Sequence, residues 1–147
     1  KEEKEDYIKT LTFNSNKIIV VEENTRKFKI NNNNGVFVNK VRVDGCYQTN
    51  GKKCDYLFEI MSPSCKSILS EIYYVELKGC KLDVALEQLI STINYCNSIH
   101  KDIPKNAVAV LSRTPRFSTN NKKMQVEILK LIKSVPIVKN QIVEVNI

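Results

Sequence analysis

Two acidic residues and a lysine fall at the ends of segments that the sequence predicts to be neighbouring β-strands. Asp55 lies near the start of a strand predicted over 54–60, and Glu76 and Lys78 close a strand predicted over 71–78. Alternate residues of a strand share a face, so Glu76 and Lys78 point one way and Leu77 the other. Magnesium usually takes one or two carboxylates from a protein, with water and substrate phosphate completing its shell. A lysine beside the ion orients a water or offsets developing charge, so the trio predicts phosphodiester hydrolysis by an activated water.

The dipeptide Asn50-Gly51 predicts the turn that leads into the strand bearing Asp55. Both residues tolerate positive φ, so they favour a two-residue hairpin turn, which would place Cys46 opposite Asp55 and Asp44 opposite Leu57. One face of the hairpin would then carry Arg42, Asp44, Cys46, Asp55, Leu57 and Glu59, and the other Val41, Val43, Tyr56, Phe58 and Ile60. Asp44 thereby becomes a further candidate metal ligand, diagonal to Asp55. The alternative is that Asp44 caps the bend at Gly45 through nearby backbone amides.

The rest of the chain supplies elements that would hold these strands in place. Hydrophobic periodicity predicts amphipathic helices over 82–99 and 122–133, and the wholly apolar run 107–111 predicts a strand buried on both faces. Shorter strands are expected at 17–22, 26–30, 36–38 and 41–43, a short helix at 3–11, and a last strand over 137–147. The order predicts a single α/β domain, with a mixed central β-sheet flanked by helices and a core spanning about 36–134. His100 is expected to be a helix-end residue.

Positive charge is concentrated in the last third of the sequence. The net charge is +7, and residues 101–147 hold nine basic against three acidic residues. Such a surface favours a polyanionic partner, most often nucleic acid, although plain solubility is the alternative. We expect Arg113, Arg116, Lys122 and Lys123 to contact backbone phosphates.

Composition also argues against several classes of protein. No apolar run is long enough for a membrane helix, and the charged start is not a signal peptide, so we expect a cytoplasmic protein without a membrane partner. The five cysteines are odd in number and form no CxxC pair, which indicates reduced thiols rather than a disulfide framework or a zinc site. The sequence opens on Lys1 rather than Met, which leaves room for a preceding segment or a partner subunit.

The pattern of Asp55 followed, after a gap, by Glu76-Leu77-Lys78 on a predicted strand resembles the motif of the PD-(D/E)xK nuclease superfamily. This superfamily includes restriction endonucleases and Holliday junction resolvases. The resemblance covers roughly residues 36–111 and is carried by the segments 43–46, 54–57 and 75–79. It implies a restriction-endonuclease-like core that cuts DNA rather than RNA. Two departures are visible: Cys54 replaces the usual proline before the acid, and only Glu22 and Glu23 offer a counterpart to the glutamate of a first helix.

The resemblance also implies a role for each residue of the motif. Mg²⁺, or Mn²⁺ as a substitute, would be held by Asp55, Glu76 and the backbone carbonyl of Leu77. Lys78 would act beside the attacking water, and Gln88 would contribute from the helix that follows, where members often carry Gln or Lys.

Three functions remain open at this point. The chain is expected to be a metal-dependent endonuclease acting on DNA; the alternatives are a non-catalytic nucleic-acid-binding or assembly subunit with the same fold, and an RNA-cleaving effector. Cutting both strands of a duplex needs two sites, which favours a homodimer or a larger defence or repair complex. The competing structural interpretation makes Asp55 a surface acid, Glu76 and Lys78 a solvated strand edge, and Gln88 an exposed helical residue.

Overall fold

A computed structural model describes residues 13–43, 53–77, 81–114 and 116–147 of the chain. The predicted helix over 3–11, the Asn50-Gly51 turn, Asp44 and Lys78 lie outside these residues. The described strands are β1 (Phe13–Asn14), β2 (Ile18–Glu23), β3 (Arg26–Asn31), β4 (Val38–Arg42), β5 (Tyr56–Met61), β6 (Leu69–Glu76), β7 (Lys105–Leu111), β8 (Ile137–Asn140) and β9 (Ile142–Asn146). The described helices are α1 (Leu82–Tyr95) and α2 (Thr119–Ile132).

The strands form two sheets, and both sheets mix parallel and antiparallel neighbours. The larger has the order β1-β4-β5-β6-β7-β8 and the smaller the order β2-β3-β9. In the larger sheet β4, β5 and β6 run antiparallel to one another, whereas β7 is parallel to β6 and β8 is parallel to β7. The predicted hairpin of β2 and β3 is present, and β9 joins it in parallel. The mixed α/β class expected from the sequence is confirmed.

The larger sheet is buried on both faces. One face packs against α1 and α2, and the other packs against the three-stranded sheet. Strand β6 shows the alternation: Ile72 and Tyr74 belong to the helix-side cluster, while Tyr73 and Val75 belong to the opposite one. Every residue of the run 107–111 is buried, as its wholly apolar composition predicted.

The register predicted for the hairpin of β4 and β5 is wrong. The predicted turn would place Arg42 opposite Glu59, whereas Arg42 faces Tyr56, three residues away. An odd shift exchanges the two faces of a strand, so Val41 and Val43 lie on the helix side with Leu57 and Glu59. The observed register therefore buries these two valines against the helices. It does not place Asp44 opposite Leu57 as predicted, and Asp44 and Asn50-Gly51 themselves lie outside the described residues.

Several element boundaries also differ from the predictions. Helix α1 ends at Tyr95 rather than near residue 99, and α2 begins at Thr119 because Ser118 caps it. The predicted last strand is divided at Gln141, whose φ is 63°. The two halves join different sheets, so this corner carries the chain from the larger sheet to the smaller one. In the described part of the chain, no helix is long and apolar enough to cross a membrane.

A chain of buried polar side chains links the end of α1 to the larger sheet. His100 follows the helix, as expected, but its side chain is fully buried in the core. Its Nε2 lies 2.9 Å from Glu59 Oε2 and its Nδ1 lies 2.7 Å from the Tyr74 hydroxyl. Asn39 Nδ2 donates to the other Glu59 oxygen at 3.2 Å. Buried polar groups are expected to be paired in this way, so the Glu59 carboxylate has a structural role.

Candidate functional site

Asp55 and Glu76 lie close to each other at the ends of neighbouring strands. Asp55 immediately precedes β5 and Glu76 ends β6, and the adjacent residues Tyr56 and Val75 are cross-strand partners. Alternation along β6 directs the Glu76 side chain to the helix side of the sheet, the side of Tyr74. The Asp55 carboxylate bonds to the N–H of Leu77, the residue that follows Glu76, so it lies near the end of β6.

Both acids are buried, which contradicts the interpretation of Asp55 as a surface acid and Glu76 as part of a solvated edge. Asp55 is 3% exposed and Glu76 is 0% exposed. The backbone N–H of Leu77 donates to Asp55 Oδ2 at 2.7 Å, a short bond of the kind that an ionised acceptor makes. This bond occupies one carboxylate oxygen and fixes the orientation of the other, Oδ1.

Helix α1 holds the start of β5 in place through Thr92. The buried N–H of Cys54 donates to Thr92 Oγ1 at 2.8 Å, and that hydroxyl donates to the Gln88 carbonyl at 3.0 Å. Gln88 is half-buried one turn before Thr92, rather than fully exposed on the helix surface. The helix residue implied by the resemblance therefore lies on a turn of α1 that adjoins the segment carrying Asp55.

The Cys54 thiol is buried near both carboxylates, and its pKa is affected by them. Burial raises the pKa of Cys54 well above its ordinary value, and the Glu76 and Asp55 carboxylates raise it further. The thiol therefore stays protonated near neutral pH, and its hydrogen bond to the Tyr56 carbonyl is that of a donor. The carboxylate oxygens near this thiol are the candidate metal ligands that the sequence predicted.

These oxygen donors fit magnesium better than a softer ion. Two carboxylates and the Leu77 carbonyl are hard ligands, and Mg²⁺ commonly takes only one or two carboxylates from a protein. Among the described residues, no group of three or more His, Cys, Asp or Glu side chains is arranged to hold a metal.

An open cavity of about 880 Å³ lies at the end of the sheet where Glu76 is located, beyond the carboxyl ends of β6 and β7. Its lining residues are Lys81, Leu82, Asp83, Arg113, Thr114, Arg116, Ser118 and Asn121. In the described ranges, neither arginine forms an ion pair, and both are exposed. The first turns of α1 and α2 both open on this cavity, and helix N-termini carry partial positive charge. The cavity is therefore suited to bind phosphate.

One buried asparagine shapes this cavity. The Asn121 side chain is 1% exposed; its Nδ2 donates to the Arg116 carbonyl at 2.9 Å and its Oδ1 accepts from the Ser118 N–H at 3.0 Å. The Ser118 hydroxyl in turn accepts from the Asn121 N–H at 3.2 Å. Sequence reasoning missed both Asn121 and Lys81. The only available signal was a Ser-x-x-Asn variant of the usual Ser-x-x-Glu capping box.

The four predicted phosphate-binding residues do not form one patch. Arg113 and Arg116 line the cavity, whereas Lys122 and Lys123 lie with Lys130 on a shallow depression along the outer side of α2. Lys78, the third member of the predicted catalytic trio, lies outside the described residues. The structure thus brings together Asp55, Glu76 and the backbone of Leu77, and places a basic cavity at their end of the sheet.

Fold and site together define a mixed α/β protein with a buried pair of carboxylates next to a basic cavity. Comparisons of the chain with protein-family models, with curated proteins and with solved structures found no match. The function is therefore inferred from the site itself.

We expect Thr92→Val to destabilise the protein, because it keeps the shape of the side chain but leaves the buried Cys54 N–H without its acceptor. A loss of about 1–3 kcal/mol in the free energy of unfolding should appear in urea titrations. Ser91→Val, which makes a similar change at the neighbouring helical position, is the matched control and should cost less than about 0.5 kcal/mol. Equal stability of the two variants would show that Thr92 does not anchor the start of β5.

Proposed function

We propose that this chain is a magnesium-dependent nuclease with a PD-(D/E)xK-type site in a restriction-endonuclease-like core. The observation that carries the proposal is that Asp55 and Glu76 are both buried, at the adjoining ends of β5 and β6, and that a basic cavity lies at the same end of the sheet. The resemblance requires an acid at the start of one strand, a Glu at the end of a neighbouring strand and a helix next in the chain. Strands β5 and β6 and helix α1 meet that requirement.

Each residue of the site has a distinct task in this proposal. Asp55 Oδ1, the Glu76 carboxylate and the Leu77 carbonyl hold the ion, and the Leu77 N–H keeps Asp55 turned toward it. When bound, the ion supplies Lewis-acid polarisation of the scissile phosphate and acidification of a water. Lys78, at the motif position after Leu77, orients that water or offsets charge on the phosphate, and Gln88 assists from α1.

The basic cavity would hold the substrate backbone next to the reacting phosphate. Arg113, Arg116 and Lys81 supply charges, and the helix N-termini supply N–H donors, so phosphate oxygens rather than bases are the expected contacts. DNA is proposed as the substrate on the strength of the resemblance. A non-catalytic nucleic-acid-binding subunit would use the same cavity, and an RNA-cleaving effector would use the same metal site; substrate and metal tests discriminate among them.

We predict that Asp55→Asn and Glu76→Gln each lower the cleavage rate by about 100-fold or more, since each removes a charged ligand at nearly constant shape. The assay uses supercoiled plasmid and single-stranded RNA with Mg²⁺, Mn²⁺ or EDTA. Glu71→Gln, at the opposite end of β6, is the control and should cut at the wild-type rate. Wild-type rates in both site variants would reject the assigned site. A folded wild-type protein that binds nucleic acid but cuts neither substrate would favour the non-catalytic alternative.

We also predict that the double variant Arg113→Ala/Arg116→Ala binds DNA more weakly and with a reduced dependence on salt. Each lost phosphate contact should reduce the slope of log affinity against log salt by about 0.9 on duplex DNA. The control is Lys27→Ala/Lys29→Ala on the three-stranded sheet, which should keep the wild-type slope. Fluorescence anisotropy over a salt series measures both. An unchanged slope in the arginine variant would place the substrate elsewhere, and Lys122→Ala/Lys123→Ala would then test the outer side of α2.

A further inference from the structure

Strand β2 is an exposed edge of the three-stranded sheet. It pairs with β3 on one side and lies at the end of the order β2-β3-β9, and no other described strand pairs with its second side. Two apolar side chains of this strand face solvent: Ile18 is 57% exposed and Val20 is 41% exposed. Long apolar edges without proline or a bulge are templates for pairing with another strand. The edge lies in the sheet that covers the face of the larger sheet opposite to the helices, away from Asp55 and Glu76.

The backbone of β2 presents unused hydrogen-bonding groups at this edge. The Lys17 carbonyl accepts the Asn32 N–H at 2.8 Å, so the odd-numbered residues of β2 bond toward β3. Antiparallel ladders alternate the direction of these groups from residue to residue. The N–H and C=O groups of Ile18, Val20 and Glu22 therefore point away from β3, to the open side.

The charges at the two ends of the strand are complementary to each other. Lys17 precedes β2 and is exposed, whereas Glu23 ends it and is half-buried. Within the described residues, neither of these two side chains forms an ion pair. An antiparallel copy of the strand centred on Val20 would set Lys17 opposite Glu23 of the second copy, twice by symmetry, with Val20 against Val20.

We propose that β2 is a homodimer interface, in which β2 pairs antiparallel with β2 of a second copy about a two-fold axis at Val20. The two three-stranded sheets would become one continuous six-stranded sheet. A second copy is the occupant that fits, because the pairing needs a Lys, an apolar centre and a Glu in reversed order, which this strand itself supplies. The candidate sites would then face outward on the helix sides of the two subunits, and the interface would form whether or not the chain is a nuclease.

Sedimentation velocity over a range of protein concentrations tests this interface. The wild-type chain should show a reversible monomer–dimer equilibrium, and Val20→Lys should be monomeric because it sets two lysines against each other on the two-fold axis. Val84→Lys is the matched control: Val84 is 45% exposed on α1, and its variant should dimerise like the wild type. A wild-type chain that stays monomeric up to its solubility limit, or a Val20→Lys variant that still dimerises, would overturn the proposal.

Charge reversal tests the register. Lys17→Glu should weaken dimerisation by at least about tenfold, because it replaces two opposed ion pairs by two like-charge contacts. The double variant Lys17→Glu/Glu23→Lys should restore it, and Lys101→Glu, in the turn after α1, should leave it unchanged. Circular dichroism confirms folding of each variant. If the double variant does not fold, the single variant Lys17→Glu is sufficient to test the register. Dimerisation of Lys17→Glu at the wild-type affinity would contradict the register centred on Val20.

Discussion

The hydrogen bond from the Leu77 N–H to Asp55 Oδ2 is the contact on which the candidate site depends. It crosses from the end of β6 to the start of β5 and orients a carboxylate that is almost fully buried. The pairing of Tyr56 with Val75 brings the start of β5 to the end of β6, where Glu76 lies. Two buried carboxylates near one another supply the hard oxygen ligands that a divalent cation takes from a protein.

Glu59, in β5, is a second buried acid, and its surroundings differ from those of Asp55. Both oxygens of Glu59 lie within hydrogen-bond distance of side-chain nitrogens, from Asn39 and His100, and the cluster lies deep between β5 and the end of α1. Asp55 receives a backbone N–H on Oδ2 and lies where β5 begins, at the end of the sheet that bears the basic cavity. The composition of the strand alone could not distinguish the two acids, because their surroundings depend on tertiary neighbours.

Local patterns predicted much of the fold, and tertiary contacts decided the rest. The alternation around Glu76, the apolar run at 107–111 and the periodicity of both helices led to the correct mixed α/β class. The register predicted from Asn50-Gly51 is wrong for the described part of β4 and β5, where Val41 and Val43 are buried against the helices. Lys81 and Asn121 could not be found, because their positions in the cavity depend on two loops that meet only in the folded chain.

Calorimetric titration with Mn²⁺ tests, without any assumption about substrate, whether Asp55 and Glu76 jointly hold a divalent cation. We expect saturable binding at a single site per chain, which Glu76→Gln abolishes or weakens severely while near-ultraviolet circular dichroism remains unchanged. A folded wild-type protein that binds no Mn²⁺, or a Glu76→Gln variant that binds it as tightly as the wild type, would show that these two residues do not hold a cation.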